Sequence, residues 1–123
     1  VGNGSDDPGA DDPVPGAQLI FSITYQNVSS ASGGAGNVTL SAFNIVISED
    51  GTPGPGNTNN WAATTTMVLG PPALWNPADT FGGNITDGSG NPVTAITNFL
   101  KDTVAGPLGP QQSGTFTFRR LIN

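Results

Sequence analysis

The clearest pattern in the chain is a period-two alternation of apolar and polar residues. In Ala17–Tyr25, Leu19, Phe21, Ile23 and Tyr25 share one face, with Ser22 and Thr24 on the other. That spacing predicts a half-buried strand. Near the other end, Thr115–Ile122 places Phe116 and Phe118 inward and Thr115, Thr117 and Arg119 outward. Asn37–Ser48 is also β-rich, but its phase slips. Val38 and Leu40 have one parity; Phe43, Ile45 and Ile47 have the other. A bulge near Ala42, or two short strands, accounts for the slip. Trp61–Leu69 predicts a further strand, with Trp61, Ala63, Met67 and Leu69 on one face and Gly70, Pro71 and Pro72 ending it. Leu74–Thr86 is short and irregular, anchored by Trp75 and Phe81. Val93–Leu100 fits two periods. Val93, Ala95, Thr97 and Phe99 alternate, while Val93, Ile96 and Leu100 share a helical face. Its Thr and Val favour the strand.

Turn-forming stretches separate these runs: Ser30–Gly36, Glu49–Asn60, Asp87–Pro92 and Gly106–Gly114. Five to seven short strands divided by Gly/Pro turns predict an all-β fold, a single antiparallel β-sandwich over residues 17–123. Val1–Gly16 is different. Its sequence, VGNGSDDPGADDPVPG, carries three prolines, few apolar side chains and four of the nine acids. Proline at that density suits neither a helix nor a central strand, so residues 1–16 are expected to form an extended N-terminal arm.

Composition narrows the chemistry. The 123 residues contain neither Cys nor His. This removes disulfides, thiol nucleophiles, Cys- or His-ligated metals and every imidazole base. Lys101, Arg119 and Arg120 are the only basic side chains, against nine acids, and the net charge is −6. Nucleic acids, which need clustered Lys and Arg, are therefore not expected partners. No apolar run approaches the roughly 20 residues of a membrane span. Charged residues make up 10% of the chain, well below the usual ~25%. No Gly-rich turn opens a helix in the manner of a phosphate loop. The acids occupy turns and the arm, without a cleft-forming segment, so no enzymatic activity is expected.

Candidate binding groups remain. Asn-x-Ser/Thr sequons at Asn3, Asn27, Asn37 and Asn84 are candidate glycosylation sites, and the Thr64–Thr66 run is a candidate for O-glycans. Asp6, Asp7, Asp11 and Asp12 are the best candidate Ca2+ ligands, with Glu49–Asp50 a second group. Asp87-Gly-Ser-Gly-Asn has the first, third and fifth positions of a calcium loop. It has Pro92 at the sixth and Asn98 at the twelfth, so it reads as a β-turn. Trp61 and Trp75, with Tyr25, are candidates for a sugar-stacking platform, set against the alternative that they fill the core.

Two segments, Val14–Ile45 (VPGAQLIFSITYQNVSSASGGAGNVTLSAFNI) and Ala105–Ile122 (AGPLGPQQSGTFTFRRLI), carry a family resemblance. Together they resemble the opening and closing of the DUF11-type immunoglobulin-like repeat of bacterial and archaeal surface proteins. Pro15–Gly16 would set the turn before the first matched strand. Pro110 and Gly114 would shape the corner before Phe116 and Phe118. The middle, Glu49–Val104, does not match clearly. The resemblance implies an Ig-like sandwich at the cell surface. A start at Val1 rather than Met is what removal of a leader leaves, and a shortened sequence starts the same way. Where the family carries an apolar first strand, this chain has GSDDPGADDPV. The expected sandwich therefore lacks that strand and offers an open edge, which invites pairing. The alternative is that another segment, such as Val93–Leu100, covers the edge within the subunit. The resulting expectation is a structural subunit of an extracellular filament or surface layer. It would assemble with identical subunits by strand complementation and exchange of the arm, including Val1 and Asp6, Asp7, Asp11 and Asp12. The alternative is one module of an adhesin or carbohydrate-binding protein.

Overall fold

The computed structural model describes residues 14–32, 34, 36, 39–69 and 77–123. They form seven strands and one helical turn: β1 (Gln18–Gln26), β2 (Ile45–Asp50), α1 (Trp61–Thr64), β3 (Thr65–Met67), β4 (Ala78–Asp79), β5 (Asn84–Asp87), β6 (Phe99–Val104) and β7 (Ser113–Ile122). One sheet is built on β7, which pairs with β1 on one side and with both β3 and β4 on the other; the second has the order β2-β6-β5. All pairings are antiparallel. The expected all-β sandwich is thus the fold.

Its core is the meeting of the two inward faces. Trp61, Met67, Leu100, Phe116 and Phe118 form one buried cluster, with Phe21, Ile23, Ile47 and Ile85 packed against it. Phe21 stacks on Phe118 with ring centroids 4.8 Å apart, and Trp61 tilts against the same ring at 5.6 Å. Aromatic pairs at these separations add to the stabilisation that comes from burial.

Three segments differ from the sequence expectation, each for a local reason. The phase slip before β2 falls at Asn44, which adopts a left-handed φ of 53°, a conformation Asn tolerates better than most residues. The expected Trp61–Leu69 strand begins as the helical turn α1. The Thr65 hydroxyl donates back to the Trp61 carbonyl, and the Thr65 backbone then turns extended. Such back-bonding by Thr competes with regular pairing. The expected Val93–Leu100 strand lies further on, at Phe99–Val104. Before it, the Thr94 N–H donates to the Thr97 hydroxyl and the Thr97 N–H to the Thr94 carbonyl, closing a turn. Ala95 accepts a bond from the Met67 N–H, and β6 is the centre of the second sheet. In the described pairings this segment therefore lies beside β3 and within the second sheet, and does not pair with β1.

Candidate functional site

Among the described residues, β1 pairs with β7 alone. Residues Gln18, Ile20, Ser22, Thr24 and Gln26 alternate with Leu19, Phe21, Ile23 and Tyr25, and the second set is only half-buried. The direction of the backbone follows from two bonds. The Asn27 N–H donates to the Gln112 carbonyl, and the Ile122 N–H donates to that of Ala17. Odd-numbered residues of β1 therefore bond to β7. The N–H and C=O groups of Gln18, Ile20, Ser22, Thr24 and Gln26 point to the other edge. A row of five such residues is a template for one more strand.

The chain enters β1 through a β-turn. The Ala17 N–H donates to the Val14 carbonyl at 3.0 Å, and Gly16 at the third position has a φ of 91°. Pro-Gly is the pair that this turn type requires. Beside it, at the same end of the sandwich, Leu19, Thr64, Thr65, Ile122 and Asn123 line a cleft of about 400 Å³. At the opposite end, Val28, Leu40 and Phe43 are 79%, 61% and 62% exposed.

A second group of polar side chains lies between the sheets. The Tyr25 hydroxyl on β1 donates to Asp79 Oδ1 on β4 at 2.6 Å, and the Phe81 N–H donates to the same oxygen at 2.7 Å. Asp79 also faces Asp102 on β6 across the sandwich. Asp102 is fully buried. Burial first, and then the neighbouring Asp79 carboxyl, push the Asp102 carboxyl up to about 7. The Tyr25 phenol is also raised, by burial and by its bond to Asp79. Two glycines make room for the cluster. A Cβ at Gly83 would run into the Asp102 carboxylate, and one at Gly114 into Tyr25 and Phe81. Gly114 lies within β7, where glycine commonly marks such a close approach.

Among the described residues, Arg120 is buried without an acidic partner. Its guanidinium donates to the Thr65 hydroxyl and carbonyl and to the Thr97 carbonyl, and lies 4.3 Å from the centre of the Trp61 ring. Burial lowers it to about 10. Trp61 itself is 6% exposed and packed among Arg120, Phe21 and Phe118. It is a core residue and cannot serve as the sugar platform considered for it.

The other sequence candidates fall out as follows. Val1, Asn3, Asp6, Asp7, Asp11, Asp12, Asn37 and Trp75 lie outside the described residues. Asn27 is half-buried, and its amide donates to the carbonyls of Leu40 and Leu108. Asn84 is exposed at the start of β5. Glu49 Oε1 accepts from the Asn59 amide and the Trp61 indole, and Asp50 accepts from the Thr52 N–H. Asp87 accepts from the N–H groups of Ser89 and Asn91, which lowers its carboxyl and closes the expected turn. Among the described residues no three metal-ligating side chains come together. The buried Tyr25–Asp79–Asp102 group and Arg120 were not among the sequence candidates. Both had a signal, since Asp102 interrupts the inward parity of Leu100 and Val104, and Arg120 that of Phe118 and Ile122. Comparison with known protein families, curated proteins and solved structures finds no match.

Proposed function

We propose that this protein is a structural subunit of an extracellular filament or surface layer, joined to identical copies by addition of a strand at the β1 edge. The observation that carries the reading is the nine-residue β1, bonded on one side only in the described structure. Its half-buried inward face would be completed by the side chains of an added strand. The occupant we assign is residues 1–13 of a neighbouring copy. Fully extended, thirteen residues reach about 45 Å, and nine residues of β1 span about 30 Å, so the arm is long enough. Pro8 and Pro13 have opposite parity, and proline cannot donate to a ladder. In any one register only one of the two falls on the bonding parity, so the ladder is interrupted at Pro8 or at Pro13 but not at both. The DUF11-type resemblance supports the same reading, because the arm replaces the strand that the family places first.

The test is electron microscopy of the full chain beside a chain beginning at Val14, which keeps the Pro15–Gly16 turn. The full chain is expected to form filaments or sheets. The shortened chain is expected to stay monomeric, with its aromatic near-UV dichroism unchanged. Equal assembly by both chains would defeat the role given to the arm.

A further inference from the structure

The carboxyl groups of buried Asp102 and half-buried Asp79 carry a different inference. Asp79 Oδ2 and both oxygens of Asp102 are buried, and no N–H or O–H donor in the described structure serves them. Leaving buried oxygens unserved is costly, and two carboxylates held together away from water cannot both stay ionised. The elements around Asp102 offer no cation. Its register partners are Ile47 on β2 and Ile85 on β5. Phe116 on β7 is the partner of Asp79. The titratable groups that act on it are Asp79 from β4 and, more weakly, Tyr25 from β1. Lys101, its neighbour in β6, is on the exposed face, and Arg120 is engaged by Thr65 and Thr97. Gly83 packs so closely on the Asp102 carboxyl that not even a methyl group fits between them.

We propose that Asp102 and Asp79 share a single proton across the two sheets, and that this proton is a pH-sensitive lock on the β1–β4–β6 corner of the sandwich. Asp102 is the acid and donates to Asp79. Asp79 is the acceptor, which suits its two further bonds from Tyr25 and Phe81. When the proton leaves to solvent, two negative charges face one another between the sheets, and the corner holding the end of β1 loosens.

The sign follows from linkage. The folded chain keeps the Asp102 proton up to about pH 7, while an unfolded aspartate releases it near 4. Between these values unfolding releases a proton, so stability falls as pH rises. One proton corresponds to about a tenfold rise in the unfolding constant per pH unit. Above about pH 7 the folded chain also loses the proton, and the decline levels off.

The experiment is urea unfolding of the full chain from pH 4 to 9, for the wild type and for Asp102→Asn, each with Ca2+ or with a chelator. Infrared spectroscopy of the native wild type supplies a second readout. The wild type is expected to weaken towards pH 7. Asp102→Asn, whose amide can donate to Asp79 at any pH, is expected to show a flatter profile and greater stability at pH 8. The infrared spectrum should contain a buried carboxylic acid band at pH 6 that fades by pH 9. A flat wild-type profile, or no such band, overturns the proposal, and the band alone decides it should Asp102→Asn fail to fold. Stabilisation by Ca2+ at pH 8 that the chelator reverses would also overturn it, because the pair would then hold an ion in place of the proton.

Discussion

At the residue scale, the buried charges illustrate how a weak signal in the alternation marks a site. Arg120 follows Phe116 and Phe118 at the inward positions of β7, where an apolar side chain is the default. Its guanidinium is instead satisfied by Thr65 and Thr97 and by the face of Trp61. Arg120→Met keeps most of the volume but leaves the Thr65 and Thr97 carbonyls without their donor. We expect it to lower the unfolding free energy by about 2–4 kcal/mol, measured by urea titration at pH 7. Glycine provides a cleaner contrast. A Cβ at Gly51 would run into the Trp61 ring, whereas at Gly54 nothing stands within 4 Å. Gly51→Ala should therefore cost about 1–3 kcal/mol, and Gly54→Ala close to nothing, in the same titration.

At the scale of elements, the strands with uninterrupted alternation were legible and the others were not. β1 and β7 could be read because Leu19, Phe21, Ile23, Phe116 and Phe118 alternate with Ser22, Thr24, Thr115 and Thr117. Their register then sets Ser22 beside Thr117 and Thr24 beside Thr115 on the outer face. β6 was misplaced because Val93–Thr97 alternates as well as Phe99–Val104 does. Only the Thr94–Thr97 hydroxyl bond, which alternation does not encode, decides between them. α1 was missed because a four-residue turn is too short to show a helical period. The Tyr25–Asp79–Asp102 group was missed because its members lie far apart in sequence, and pairing across two sheets is invisible to a local pattern. The edge itself yields a prediction. Ser22 directs its N–H away from β7, so Ser22→Pro removes a donor from the open edge while leaving the β7 ladder intact. The variant should retain a cooperative thermal transition and fail to add a strand, seen as loss of filaments in the microscope.

For the whole molecule, charge bears on assembly. Each copy carries a net charge of −6, and four acids lie in the arm that would meet the next copy. Like charges at close quarters repel, and salt screens them with a length of about 10 Å at 0.1 M and about 3 Å at 1 M. Light scattering should therefore show faster assembly as sodium chloride rises from 0.05 to about 0.5 M. Slower assembly with added salt would mean that attraction between opposite charges governs the joint. This effect is separable from the Asp102 proton, which responds to pH and is shielded from salt by its burial.

The position of β7 in the chain has a further consequence. It is the common partner of β1, β3 and β4, and Gln18 meets Leu121 across almost the entire described length. During synthesis, three strands of that sheet emerge before the strand that joins them. Contacts of such long sequence separation also close slowly. Until β7 has emerged, that sheet therefore has no strand to join its members, and β1, β3 and β4 must wait for it.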